Sequence, residues 1–584
     1  MPSNVGGIVG YSAANRPTIQ GNLQIDGTLL QNLIILGTVH AAFSRSDSIL
    51  TIDNVDIDGG SDTALYVVGA SGVACIGSSN VVSGAVNLPM ASFYNLDRVD
   101  VDSSFFGARD DPSLDTWPLA VNLNNVKSAN ASNSTFAGDI KVSKKAKISS
   151  FKNTIFGALT LDAGSDYSGD GTTHISAGTA IIAPGGLAGS SVDNSKFYFG
   201  GVVAATTDAP CDMKISLSTI EDVPDFTTCD TLDGTYCKVI SSCSGVSETN
   251  TKTCAIIIQS LFAKLNRRLR AQATSKIKIN AQSGADVALA IQDTTINSSS
   301  DLSSLIDLLI NSGGQIKSRM TGSYLSTCNP QTGILSAPTD QGGRLNLSSA
   351  NNNFVNTSQD SQYPLWAYQT TGGTVDSDSS NDVFAHSSPS ASALSFEAIR
   401  GGHITHRHRG SSVVNSSGTC MGMTCDPTSQ LSVSSIGSSY TTEPGEPGNP
   451  LLRSSGPAVF MSSSDTCLCD GPLCVSIDSK TATTTFQNAN IKGTNTTGQS
   501  SPFVSADDDC GISFSQCKIT ATDQKGSLVE AHGRTTLLQN SIDYQTIASD
   551  LIKALVFETS GSNSLSNLTP TGYQAGATIN RLTL

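Results

Sequence analysis

Short runs in which two apolar side chains stand two residues apart recur along this chain, each followed by a polar or glycine turn. Leu50-Thr51-Ile52, Val55-Asp56-Ile57, Val99-Asp100-Val101 and Val121-Asn122-Leu123 are of this kind. A period of two puts both apolar groups on one face of a strand. Longer versions repeat: Ser134-Thr135-Phe136-Ala137-Gly138-Asp139-Ile140-Lys141-Val142 is echoed by Thr154-Ile155-Phe156-Gly157-Ala158-Leu159-Thr160-Leu161, with Phe136 and Phe156 20 residues apart and Val142 and Leu161 19 apart. Ser103-Ser104-Phe105-Phe106-Gly107 and Asn194-Ser195-Lys196-Phe197-Tyr198-Phe199 share the form, which returns at Thr483-Thr484-Thr485-Phe486, Ile512-Ser513-Phe514 and Leu537-Leu538-Gln539-Asn540-Ser541-Ile542. A coil of two or three such strands cannot bury its inward face alone, so coils must stack into one continuous core. The pattern predicts a mainly β fold: a right-handed parallel β-helix, a solenoid with coils of about 20 residues. A β-sandwich would instead show longer strands joined by tight Asn-Gly hairpins, which are scarce here.

The pattern is interrupted once. Cys254 to Leu269 carries apolar residues 258, 261, 262, 265 and 269 at helical spacing, with Lys264, Arg267, Arg268 and Arg270 largely on the opposite face. A second helix is predicted from Leu302 to Ile310, stopped by Gly313-Gly314. The expected organisation is therefore an N-terminal cap or attachment segment over 1–45, a first β-helix stretch over 46–205, a cysteine-rich insert with helices over 206–329, and a second β-helix stretch with its C-terminal cap over 330–584. A solenoid needs its first coil covered, because an open strand edge invites pairing with other chains.

Composition changes the picture by exclusion. Charged residues make up 14% of the chain, against about 25% in an average globular domain. Much of the remainder is Ser, Thr, Asn and Gln, which suit the turns and outer rows of stacked coils. The net charge of −15 argues against nucleic acid and anionic membrane as partners, since both demand clustered Lys and Arg. No run of about 20 apolar residues is present, so no membrane insertion is expected, and the first residues do not read as a signal peptide.

The 14 cysteines cluster in turn-rich segments. Cys211, Cys229, Cys237, Cys243, Cys254, Cys420, Cys425, Cys467, Cys469, Cys474, Cys510 and Cys517 are disulfide candidates; the alternative is reduced, buried thiols acting as small hydrophobes. His403-Ile404-Thr405-His406-Arg407-His408-Arg409 holds three of the seven histidines. On a strand His406 and His408 point the same way, so a trimer could bring three such pairs to its axis as a metal site; the alternative is an exposed cationic strand. Trp366 and Tyr368 are candidates for stacking on carbohydrate. No cofactor is implied. Asp110-Asp111, Asp507-Asp508-Asp509 and Gly402-His403-Ile404 are the nearest pieces to a polysaccharide hydrolase site, but they are scattered and assign no catalytic residue.

The repeats quoted above resemble β-helical surface proteins of viruses: tailspikes, fibres, and spike or minor capsid proteins, with the cysteine count leaning toward a large DNA virus. The resemblance rests on coil grammar and covers about two thirds of the chain. It implies a non-enzymatic virion component, surface or capsid-associated, in contact with other virion or capsid proteins, often a homotrimer, that attaches to a host cell-surface glycan or braces the capsid. A polysaccharide-degrading depolymerase on the same scaffold is the alternative, and a cellular adhesin a third.

Overall fold

The computed structural model describes residues 7–222 apart from 85–87, 109–117, 163, 176–180, 183–189, 199–203 and 208–210, and residues 275–566 apart from 360, 417, 443–449, 472, 479–481, 508–509, 547–550 and 561–563, together with 578–579. The chain divides into two units, Met1–Asn280 and Ala281–Leu584. Each is a parallel β-solenoid, and no helix occurs among the described residues.

In the first unit most coils lay down three strands, one per face, and each strand pairs in parallel with its equivalents one coil away. Val73–Gly77, Arg98–Asp102, Ser128–Ser132, Lys147–Phe151 and Asp166–Asp170 form one ladder. Leu65–Val68, Ala91–Tyr94, Leu119–Asn124, Asp139–Ser143 and Leu159–Leu161 form the second. Asn80–Ser83, Phe105–Ala108, Thr135–Ala137, Thr154–Phe156 and Thr173–Ile175 form the third. The second unit repeats the plan with longer strands. Its widest ladder runs through Asp286–Gln292, Gln315–Thr321, Arg344–Ala350, Thr374–Ser380, His403–Arg409 and Gln430–Ile436.

The period-two pattern explains the core. Val99 and Val101, Ile140 and Val142, and Leu159 and Leu161 are buried while the residues between them face outward. Because equivalent positions stack in register, aromatic rings pile on one another: Phe106 on Phe136 at 5.4 Å, Phe354 on Phe384 at 4.9 Å and Phe486 on Phe514 at 5.4 Å between centroids.

One corner of many coils is built by a repeated device. A residue in the left-handed region (Asn133, φ 49°; Asn351, φ 57°; Asn381, φ 53°; Ser464, φ 58°) turns the chain, a conformation that Asn tolerates better than most residues. The next residue is small, polar and buried, and its side chain accepts the backbone N–H of the equivalent residue one coil earlier. The N–H of Ser79 donates to Ser104 Oγ (3.2 Å), that of Ser104 to Ser134 Oγ (3.0 Å) and that of Ser134 to Asn153 Oδ1 (2.8 Å). In the second unit Thr294, Ser323, Asn352, Asp382, Ser411 and Ser438 donate in turn to Ser323, Asn352, Asp382, Ser411, Ser438 and Asp465. Serines at this corner also donate to the carbonyl two residues back, as Ser104 does to Asp102. Asn and Asp instead grip the serine three residues back: Asn153 with Ser150, Asn352 with Ser349, Asp382 with Ser379 and Asp465 with Ser462. Buried backbone donors demand partners, and this chain supplies them from side chains.

Several expectations need correction. Coil length is not uniformly near 20: equivalent corners lie 19 to 30 residues apart in the first unit and 23 to 30 in the second. Around residue 140 the true register is 19, with Phe136 opposite Ile155 and Phe156 opposite Ala137. Leu302–Ile310 is not helical. Ser304–Ile310 is a strand with Leu305, Ile306, Leu308 and Ile310 buried, and its apolar positions satisfy both periods. Gly313 (φ 78°) turns the chain after it, and Gly314 lies so close to the Ala281 carbonyl that a Cβ there would sit 2.6 Å from its oxygen. Residues 275–329 thus belong to the solenoid. So does the expected cap, since Leu29–Leu36 and Val39–Ala42 already pair in parallel with Ile49–Asp58 and Leu65–Val68. The predicted helix at 254–269 lies outside the described residues.

Candidate functional site

The residues singled out for chemistry lie inside. Along His403–Arg409 burial alternates: Ile404, His406 and His408 point into the core, while His403, Thr405, Arg407 and Arg409 face outward. The two imidazoles do share a face, but it is the interior one, so they cannot meet partners on a symmetry axis. Their rings pack edge to face at 4.3 Å, with His406 against Phe396 (4.9 Å) and Tyr368 (6.0 Å) and His408 against Phe384 (5.8 Å). Ser377 Oγ sits 2.6 Å from His406 Nδ1, and neither nitrogen of His408 has a hydrogen-bond partner. Burial holds both imidazoles neutral, pushing His406 well below the usual histidine value and His408 down to about 3. Among the described residues no group of three or more His, Cys, Asp or Glu is arranged to hold a metal ion. Trp366 and Tyr368 are each 1% exposed. They belong to this same aromatic packing, Trp366 edge-on to Phe354 at 4.9 Å, and are closed to any carbohydrate.

Cysteines divide in the same way. Cys469 and Cys474 are bonded. Cys420, Cys425, Cys467 and Cys517 are buried thiols, and burial raises Cys420 to about 12 and Cys425 to about 11. They act as small hydrophobes. Cys229, Cys237, Cys243 and Cys254, and the side chain of Cys211, lie outside the described residues.

Outward-facing side chains are the chemistry a partner can reach. In the second unit these form cross-coil charge pairs on the widest face: Lys317 with Asp286 at 3.3 Å, Arg344 with Asp376 at 3.4 Å and Arg407 with Asp378 at 3.4 Å. Solvent reaches all three, so each contributes little to stability. Of the hydrolase-like pieces, His403 bonds only its neighbour Thr405 (3.2 Å). Asp110, Asp111, Asp508 and Asp509 lie outside the described residues, as does the side chain of Asp507.

The first unit carries a different outer row, which the sequence reading missed. Val39, Ala41, Leu65, Val67, Ala91 and Phe93 are buried, and alternation turns His40, Tyr66 and Tyr94 outward, half-buried, on three successive coils. His40 meets Tyr66 edge to face at 4.9 Å, Tyr66 meets Tyr94 at 5.3 Å, and Asn122 Nδ2 on the following coil donates to the Tyr94 hydroxyl at 3.0 Å. A readable signal existed: an aromatic or imidazole ring at the outward place of an apolar-x-apolar strand, as in Val39-His40-Ala41 and Leu65-Tyr66-Val67. Half-buried rings beside amide and hydroxyl groups offer apolar contact and hydrogen bonding together. Compared with known proteins, the chain matches no family model, no curated protein and no solved structure.

Proposed function

We propose that this is a non-enzymatic structural or adhesive protein that holds a surface glycan against its outer strand rows, with His40, Tyr66 and Tyr94 as the contact. The observation that carries the reading is the ring row itself: three aromatic or imidazole side chains, half-buried and turned outward on stacked coils, fixed from behind by core residues and from the side by Asn122. Sugar rings present apolar C–H faces edged by hydroxyls, and a rigid row of rings meets both without ordering new side chains. The biological setting we propose, on coil grammar alone, is the virion surface or capsid, beside other virion proteins and as a homotrimer.

A non-enzymatic role is favoured over a depolymerase by where the weakened acids lie. Burial raises Asp382 and Asp465 above the usual carboxylate range, as a general acid requires. Both are sealed into corner bonds, Asp382 with Ser379 and Asp465 with Ser462, where no glycosidic oxygen can reach. The test is glycan-array binding by the full chain and by Tyr66→Ala, Tyr94→Ala and the double variant. Retained glycan signal in the single variants at one tenth or less, with an unchanged melting temperature, is the expected result. Equal binding by the double variant would refute the assignment.

A further inference from the structure

We infer that the glycan held by the ring row is acidic, and that Lys141, Lys144 and Lys145 seat its carboxylate or sulfate two coils beyond Tyr94. The inference rests on the ring-row reading and narrows it to a ligand class. Strand pairing sets the distance. Ser92 and Tyr94 stand opposite Asn122 and Asn124, which in turn stand opposite Lys141 and Ser143. Neighbouring strands lie about 4.7–4.9 Å apart, so Lys141 and the corner after Ser143 lie about 10 Å beyond Tyr94. Rings, amides and ammonium groups thus follow one another along one outer face and its corner, within the span of a short oligosaccharide.

The corner itself is unusual. On the two preceding coils the chain turns there on a single left-handed Asn, Asn95 (φ 56°) and Asn125 (φ 57°), joined by a bond from Asn125 Nδ2 to Asn95 Oδ1 at 2.8 Å. The next coil turns on two adjacent left-handed residues, and both are lysines: Lys144 (φ 68°) and Lys145 (φ 59°). Two positive φ angles in succession favour Asn followed by Gly, because a Cβ crowds the following carbonyl oxygen. Asn offsets that crowding with a local hydrogen bond, which lysine does not make. Backbone strain of this kind collects at ligand clamps, where the side chains it presents are needed.

Charge points the same way. Between Asp139 and Asp162 the chain holds five lysines and no acid, in a protein of net charge −15. Lys141, Lys144 and Lys145 are exposed, and none of the three is ion-paired among the described residues. Asp139 accepts the Ala158 N–H at 2.8 Å. On the following coil Asp166 stands opposite Lys147, outside the trio. An ammonium group offers three donors and no acceptor, so the three call for an anion. The net negative charge repels anions from the surface at large, which leaves this corner as the place to hold one. The adjoining Tyr66 and Tyr94 rings put that anion on a sugar.

The test is isothermal titration of the full chain with three hexasaccharides: hyaluronan for carboxylate, heparin for sulfate and chitohexaose as the neutral probe. A thymidylate hexanucleotide serves as a polyanion of another class. At least one acidic hexasaccharide should bind at least tenfold more tightly than chitohexaose. In the double variant Lys144→Asn/Lys145→Gly that preference should fall below threefold, while the melting temperature rises because the new residues suit the left-handed turn. Chitohexaose binding as tightly as both acidic probes, a preference still above threefold in the double variant, or a hexanucleotide binding as tightly as the acidic glycans would each overturn the inference and leave the ring row standing. A double variant that melts no higher than the parent would refute the strain argument beneath it. No binding of any hexasaccharide would refute the ring row and the acidic subsite with it.

Discussion

Replacing Asn352 by alanine should open the second unit at one corner. Asn352 Oδ1 accepts the Ser323 N–H at 2.8 Å, and its Nδ2 is placed to donate to the Met320 carbonyl at 3.1 Å, to Ser349 Oγ at 2.9 Å and to Asp382 Oδ1 at 3.1 Å. Alanine keeps the strand and removes all four contacts. The Ser323 N–H and the Ser349 hydroxyl, both in buried residues, lose the amide that joins them. At about 1–3 kcal/mol for each buried group left unmatched, the loss is about 3 kcal/mol. Solenoid stability is a sum over coils and their neighbours, so the damage should stay local. Hydrogen exchange read by mass spectrometry on peptides spanning 315–327 and 344–356 should show protection reduced about hundredfold, since 1.4 kcal/mol is about tenfold. Ser348→Ala, an outward change on an adjacent strand, should alter it less than threefold. Asn352→Asp keeps the acceptor but sets a carboxylate against Asp382, so its penalty should grow as pH rises. The corner argument is wrong if Asn352→Ala exchanges like the parent, or if Ser348→Ala exchanges as fast as Asn352→Ala.

Two further outcomes follow from the interior. In the second unit burial lowers His386 to about 4, His408 to about 3 and His406 well below its ordinary value. Above about pH 6.5 these groups are neutral folded or unfolded; below it the unfolded chain takes up protons that the core refuses. Unfolding free energy from urea titration should therefore fall between pH 7 and pH 5, by up to about 2 kcal/mol per imidazole, and His408→Phe should flatten the dependence; identical midpoints at both pH values would contradict it. The thiols should sort by burial: at pH 8, peptide mapping after brief iodoacetamide treatment should find exposed Cys328 alkylated and Cys420 and Cys467 untouched until urea is added, and early labelling of Cys467 would count against its placement.

What could be read from sequence was the periodicity of single strands. Pairs such as Val99 and Val101 announce an inward face because alternation is local. Coil length was harder, because the joint is defined by geometry rather than identity: Ser104, Ser134, Asn153, Thr172 and Asp382 occupy the same corner. A left-handed residue followed by Ser, Thr, Asn or Asp just before a short apolar strand would have marked it, and the serine three places before Asn352, Asp382 and Asp465 would have sharpened it. His406, His408, Trp366 and Tyr368 were misplaced for a different reason. Polar and amphipathic types are usually exposed, but a stacked core with rings in register accepts them as packing. The outward ring row was missed because His40, Tyr66 and Tyr94 lie on separate coils, 26 and 28 residues apart by number, and only stacking brings them together.

The corner device also has a mechanical side. Within each unit the strands lie across the stacking direction, so a pull along that direction loads the cross-coil hydrogen bonds end-on and peels a terminal coil before its neighbour feels strain. A coil of 29 residues, as from Thr294 to Ser323, would release about 100 Å of chain at roughly 3.3–3.6 Å per residue. Each corner is a latch that must open before the next coil can follow, so force would be shed in many small steps, each restored when the load falls.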